Sequence, residues 1–317
     1  LAPSATGTGS IAMGDGAKAL SSEMFVYGTN AGTGSTNTFA SIFIGNYTGA
    51  SATNAMLSIF LGNHAGENAV GAEHSNFFGD YAGQGASGSN NSNFIGGGAG
   101  LLALNSEYSN FIGDYAGAEA ENATSSIFLG TSAGYRTLSA SNSIFIGNGS
   151  GSYDTVDNTL SPNDNSILIG YSTNTGGFSN SIALGGFAAN TASNQFMIGS
   201  AARPVDTTVW KGSAGTECTL TTGTGVSCTS DERLKTNIVD LTSDTLDKLL
   251  NVKTVTYNWI QNPDSPTQIG FLAQDLEQYF PELVATNNED KKSVYYSQIT
   301  PILVEAIREM NLKITDI

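Results

Sequence analysis

Glycine returns every 17 residues, at Gly28, Gly45, Gly62, Gly79, Gly96, Gly113, Gly130 and Gly147. A second glycine follows four residues after each, from Gly32 and Gly49 through to Gly134 and Gly151. A short apolar run precedes each first glycine, as in Ser41-Ile42-Phe43-Ile44, Ser58-Ile59-Phe60-Leu61 and Ser143-Ile144-Phe145-Ile146. Looser units end at Gly170, Gly185 and Gly199, and one precedes the series at Ile11-Ala12-Met13-Gly14. A fixed period of this length predicts stacked coils, each contributing one short strand. Side chains of a strand alternate faces, so Ile42 and Ile44 point one way and Phe43 the other. Both faces are apolar, so both are expected to be buried. A thin coil has only one interior, and association with further copies in a fibre is the simplest cover for the second face. The paired glycines suit tight turns with positive φ. Asn76, Asn93 and Asn110 replace the isoleucine in three successive units, where stacked amides can hydrogen-bond along the axis.

Low charge and 38 glycines would suit a disordered chain, but regular apolar triplets argue for packed coils. Residues 1–229 hold only Lys18, Arg136, Arg203 and Lys211 as cations, against fourteen Asp and Glu. Nucleic-acid binding needs clustered Lys and Arg, so no nucleic-acid partner is expected. No apolar run is long enough to span a bilayer, so no membrane insertion is expected either. The start, Leu1-Ala2-Pro3-Ser4, lacks the basic and apolar parts of a signal peptide. The sequence reads as a piece of a longer fibre. Two cysteines and two distant histidines make no zinc spacing, and no metal or cofactor is called for.

The units Asn142-Ser143-Ile144-Phe145-Ile146-Gly147, Asn165-Ser166-Ile167-Leu168-Ile169-Gly170 and Asn180-Ser181-Ile182-Ala183-Leu184-Gly185 share an Asn-Ser-x-x-x-Gly form. This resembles the YadA-like head of trimeric autotransporter adhesins, over about residues 7–200. The resemblance implies a left-handed parallel β-roll with three-fold symmetry. The chain departs from that family in its central Phe, where a small residue is usual, and in a slightly longer period. Tyr47, His64, Tyr81 and Tyr115 share one register, two residues after the first glycine; they read as turn cover, with an aromatic ladder for sugars as the other reading.

Residues 201–229 break the repeat and are expected to form a compact β cap over the last coil's open edge. Trp210 is its candidate tip contact. Cys218 and Cys228 flank a Thr/Gly-rich stretch that can turn back as a hairpin; a disulfide and a pair of free thiols both fit the spacing. Farther on, a helix is expected over Leu241–Asn251, strands over Val252–Ile260 and Ile269–Ala273, and a short helix over Gln274–Tyr279. A long helix is expected over Ser297–Ile314, with a stripe of Ile299, Ile302, Leu303, Ala306, Met310 and Ile314 suited to packing against other copies of itself.

Ser230-Asp231-Glu232-Arg233-Leu234-Lys235-Thr236-Asn237-Ile238 stands where the composition changes. With Ile269-Gly270-Phe271-Leu272-Ala273-Gln274-Asp275-Leu276, Phe280-Pro281-Glu282-Leu283-Val284 and the stretch from Tyr296 to Ile314, it resembles the C-terminal intramolecular chaperone of phage tailspikes and fibres, the endosialidase type. The resemblance implies that residues 230–317 trimerise, guide folding of the fibre, and then cut themselves off at Thr229–Ser230. In that reading Ser230 attacks and Lys235 accepts its proton, a Ser–Lys dyad acting once in cis. A serine hydroxyl needs a base, and a lysine serves when burial or a nearby cation such as Arg233 disfavours its charged form. Asp231 and Glu232 are expected in solvent or paired with Arg233.

The expected whole is a mainly β repeat, a parallel β-roll or solenoid in a trimeric fibre, followed by a small α+β chaperone domain ending in a long helix. Its parts are a head or shaft (1–200), a cap or tip (201–229) and a self-cleaving chaperone (230–317). The expected role is an extracellular adhesive fibre, on a virion tail or a bacterial surface, gripping a cell-surface glycan or protein. The alternative is a glycan-degrading tailspike carrying the same chaperone. That enzyme needs two facing carboxylates. Asp80 and Asp114 share a register but stand two coils apart, too far to read as a pair.

Overall fold

The computed structural model describes residues 2–152, 165–212, 216–241 and 243–315. The chain divides into two compact units, Leu1–Cys228 and Thr229–Ile317.

In the first unit, twelve short strands lie parallel in chain order in one sheet, from Ile11–Met13 to Phe196–Ile198. Each pairs with its counterpart one coil on, as in Ile42↔Ile59, Phe43↔Phe60 and Ile44↔Leu61. A second column of single parallel bridges runs from Thr36↔Thr53 to Glu121↔Leu138 along another side of the coils. The stack is the β-solenoid that the glycine period predicts.

The interior is built mainly from three residue types. The central phenylalanines Phe43, Phe60, Phe77, Phe94, Phe111, Phe128 and Phe145 are fully buried. Their rings stack at centroid spacings of 4.6–5.0 Å. Alanines such as Ala65, Ala69 and Ala72 fill the remaining volume. The serine before each strand from Ser58 to Ser181 is buried, and its N–H bonds the preceding coil while its hydroxyl bonds the following one; the Ser58 N–H donates back to Ser41 Oγ at 3.2 Å. Ser58 Oγ donates to the Ala72 carbonyl at 2.6 Å and accepts from the Ser75 N–H at 3.0 Å. Each hydroxyl thereby satisfies a carbonyl and an amide that the corner leaves without a ladder partner.

The two glycines of each unit have different tasks. The first group, Gly28 to Gly147, has φ of 127–137°, and a Cβ there would collide with the next coil's backbone carbonyl. The second group, Gly32 to Gly151, has φ of 60–66°. From Gly49 onward, a Cβ at the second glycine would overlap the Phe ring of its own coil. The large central side chain, the departure from the resembled family, is therefore accommodated by removing a side chain opposite it. Gly71 offers a comparison: its φ is 63°, yet a Cβ there meets nothing closer than 3.7 Å. Gly71→Ala should cost about 1–2 kcal/mol from the left-handed conformation alone. Gly100→Ala should add about 1–3 kcal/mol for overpacking against Phe94, and so lower the melting temperature by several degrees more. Equal shifts for the two variants, measured by calorimetry, would remove the ring from the argument.

Within one chain only the Phe side of the sheet is closed. Ile42 and Ile44 are half-buried, and Ile127 and Leu129 are each 41% exposed, so the expected burial of both faces is not met by the single chain. Asn76 Nδ2 donates to Asn93 Oδ1 at 2.7 Å, and Asn93 Nδ2 to Asn110 Oδ1 at 2.8 Å, an amide ladder along that outer face.

Beyond the last coil, Thr207–Lys211, Glu217–Thr221 and Gly225–Cys228 form a three-stranded antiparallel sheet. It is separate from the parallel sheet, so it does not pair with the outer edge of Phe196–Ile198. The turn at Ser200–Arg203 lies against that coil instead, with Ser200 Oγ donating to the Gly186 carbonyl at 3.0 Å.

The second unit has a core of Leu276, Phe280, Leu283, Ile299 and Ile302. Helix α1 spans Thr245–Asn251, shorter than expected. The expected strands shrink to Thr254–Tyr257 and Gln268–Phe271, paired antiparallel as a hairpin. Beyond them Pro266, on the returning side, has no N–H to give. Helix α2 is the single turn Ala273–Leu276, and Val284–Thr286 pairs with Lys292–Val294. Helix α3 covers Ile299–Thr315, preceded by a 3-10 turn at Tyr296–Gln298. Its expected single stripe divides. Ile299, Ile302 and Ala306 are buried in their own unit, whereas Leu303, Ile307 and Met310 are 44%, 59% and 46% exposed.

Candidate functional site

The site begins with a single 3-10 turn, Glu232–Leu234. Asp231 caps it: its Oδ1 accepts from the Arg233 N–H at 2.9 Å, and its Oδ2 accepts from Arg233 Nη2 at 2.6 Å. The Arg233 guanidinium holds the Asp231 carboxyl below its usual range, and the carboxylate raises Arg233 in return. The turn closes with the Lys235 N–H donating to the Glu232 carbonyl at 3.0 Å. This reversal brings the Lys235 side chain back over the start of the segment. Lys235 Nζ donates to Ser230 Oγ at 2.8 Å.

The two side chains five residues apart are thus in hydrogen-bond contact. The arrangement lacks cover, because Ser230 and Lys235 are exposed. Arg233 was expected to help discharge the lysine by repulsion. Its charge is instead offset by Asp231, which it grips through two nitrogens. Leu234 in the turn and Ile238 and Val239 shortly after it are 54%, 61% and 85% exposed, apolar side chains without cover in one chain.

Residues 230–285 match the family described as chaperone of endosialidase. The match begins at Ser230 and takes in the hairpin, α2 and the Phe280–Val284 block; α3 lies beyond it. The chain is also 30% identical over 95 residues to a long tail fiber protein, Gp37, of Enterobacteria phage M1, and equally to that of Enterobacteria phage Ox2. Those alignments cover 28% of this chain and 38% of each relative, so the chain matches well under half the length of the curated relatives.

Around the chaperone-family segment, one residue that sequence reasoning passed over organises the helices. Glu309, on the buried side of α3, accepts from the Thr245 and Leu246 N–H groups, each at 3.0 Å. A carboxylate from the far end of the chain therefore caps α1, whose own N-cap Asp244 makes no side-chain cap. That is why α1 starts at Thr245. The signal was present as one acidic residue in line with Ile302 and Ala306, three positions after the alanine.

The other candidates lie in the first unit. Cys218 and Cys228 are bonded as a disulfide across neighbouring strands. Trp210 faces Cys218 in register and is 57% exposed. Asp80 Oδ1 accepts from the Asn63 N–H at 3.1 Å, and Gly97 separates Asp80 from Asp114 in their shared register. Tyr47, His64 and Tyr81 stack at 5.1 and 4.9 Å. Among the described residues no group of three His, Cys, Asp or Glu is placed to hold a metal ion. None of the described helices is long and apolar enough to cross a membrane.

Proposed function

We propose that this chain is part of a homotrimeric phage tail fibre whose residues 230–317 drive assembly and then cut themselves away, leaving a shaft that ends at Thr229. The observation that carries the reading is the coincidence of the family match with the contact between Ser230 and Lys235 at its first residue. The tail-fibre relatives support a place on the virion.

Two uncovered apolar faces support assembly from identical copies. One is the outer face of the parallel sheet, free of charge along its strands. The other is Leu303, Ile307 and Met310 on α3. A second copy of the chain offers both surfaces in matching order, and charge repulsion does not oppose their contact. Sedimentation equilibrium of the purified chain should give three copies; a stable, folded monomer would overturn the trimer.

The cleavage is an acyl shift followed by hydrolysis. For Lys235 to act as base its amine must be neutral, and the present hydrogen bond must reverse so that the Ser230 hydroxyl donates to Nζ. Ser230 Oγ then attacks the Thr229 carbonyl carbon while Nζ takes the hydroxyl proton. The C–N bond breaks, the Ser230 amine takes that proton, and Thr229 is held as an ester on Oγ. Water hydrolyses the ester, giving a Thr229 carboxylate and restoring the hydroxyl. Burial favours the neutral amine. In the trimer, a neighbouring copy packed on Leu234, Ile238 and Val239 would supply that burial. Trp210, in the sheet that precedes the cut at Thr229, is the proposed tip contact for a cell-surface receptor.

A further inference from the structure

The side chains that the parallel strands turn outward are aliphatic or aromatic, with three exceptions in a row. Asn76, Asn93 and Asn110 open their strands where the coils before and after them carry Ile59 and Ile127. The amides bond one another along the stack, Asn76 Nδ2 to Asn93 Oδ1 at 2.7 Å and Asn93 Nδ2 to Asn110 Oδ1 at 2.8 Å. A primary amide has two N–H groups, and its oxygen has two lone pairs. The ladder uses at most one of each per residue. Every rung therefore presents a further donor and a further acceptor, on a face that one chain leaves half-buried.

We propose that Asn76, Asn93 and Asn110 form a register key: the partner they fit is a second copy of this chain whose own three asparagines stand at the same height. The inference rests on the homotrimer proposed above and adds what aligns it. Because the coils repeat, aliphatic rungs fit one another equally well after a slip of one coil, about 4.8 Å. Amides do not. Around a three-fold axis along the stack, matched asparagines lie side by side, and each gives its spare N–H to the next copy's carbonyl oxygen. A slip, or a partner without the amides, presses those donors and acceptors against isoleucine. Buried without partners, they cost more than the match returns. A polar residue on an otherwise apolar seam fixes register and partner in coiled coils by the same means. The outer face carries no charge along its strands and is complementary to itself at one height only.

The repeat supplies variants suited to folding. Isoleucine is the native residue at this position in the coils on either side, so Asn76→Ile with Asn93→Ile and Asn110→Ile gives an all-aliphatic face. The block is moved two coils along by Asn76→Ile, Asn93→Ile, Ile127→Asn and Ile144→Asn, which keeps three successive amides starting at Asn110. All these side chains point away from the buried phenylalanines, so the interior of the coils is unchanged.

The experiment co-expresses two full chains that carry different affinity tags ahead of residue 1, and purifies them over both columns in turn. Wild type paired with wild type should give mixed trimers at the statistical level. Wild type paired with the moved-block chain should give at least about tenfold fewer, and with the all-isoleucine chain at least about threefold fewer. Each variant expressed alone should still sediment as a trimer. Undiminished mixing of wild type with the moved-block chain overturns the key, leaves the trimer standing, and assigns the alignment to residues 230–317. If the moved-block chain does not fold, the all-isoleucine chain decides, and undiminished mixing with wild type again overturns the key. Wild type that sediments as a monomer and yields no mixed species with itself overturns the trimer and the key together.

Discussion

Expression of residues 1–229 alone should give aggregated protein, whereas removal of residues 230–317 from an assembled fibre should leave it soluble and as heat-resistant as before. The asymmetry is kinetic. Every coil leaves strand residues such as Ile42 and Ile44 only half-buried, and the same apolar surface that would close the proposed trimer should pair out of register in an unguided chain. The outer face carries no charge along the strands to penalise wrong pairings. Once three chains are aligned, the stacked phenylalanines and buried serines hold each coil without further help. Comparing the soluble fraction of the truncated gene with that of fibre trimmed after folding measures the effect directly. Soluble trimers of undiminished melting temperature from the truncated gene would remove the chaperone role.

The second large effect is on the bond between Thr229 and Ser230. Intact mass after expression should show wild type as two fragments, one ending at Thr229 and one beginning at Ser230. Ser230→Ala should remain whole, because no oxygen is left to attack, and Lys235→Ala nearly so, because the hydroxyl keeps its proton. Both variants should still assemble, since neither side chain is buried. The dependence on assembly is best probed at Leu303 and Ile307. Ile302, in the same sequence stripe, is buried in its own unit, and Ile302→Asp would unfold that unit rather than test contact between copies. Leu303→Asp with Ile307→Asp should block both trimerisation and cleavage. Cleavage at the same bond in Ser230→Ala would point to an outside protease, and a wild type that never cleaves would leave the serine and lysine as structural residues.

The coil stack was legible in the sequence because its cause is periodic. A glycine that only backbone can tolerate must recur wherever the same corner recurs, and so must the Phe opposite it. The amide ladder at Asn76, Asn93 and Asn110 was readable for the same reason. The second unit was less legible, because its determinants act once. The start of α1 depends on Glu309, more than sixty residues away, and no local pattern around Thr245 announces that. The stripe on α3 carries two faces at once, which spacings of three and four cannot separate. At the candidate site the residues were legible and their surroundings were not. The pairing of Asp231 with Arg233 left the lysine without the cation expected to assist it.

The serine that ends one corner bonds to the corner below through its N–H and to the corner above through its hydroxyl, coil after coil, and along the axis the phenylalanines from Phe60 to Phe128 each stack between two others. Adjacent coils are therefore interchangeable at their joints. Loss or duplication of 17 residues, or any multiple, rejoins a serine to a serine and a ring to a ring, and shifts the length by a whole rung of 4.6–5.0 Å. Recombination between repeats can then lengthen or shorten such a fibre in discrete steps while its ends stay unchanged. A surface feature carried by one coil, such as an asparagine rung, moves along the axis as a unit.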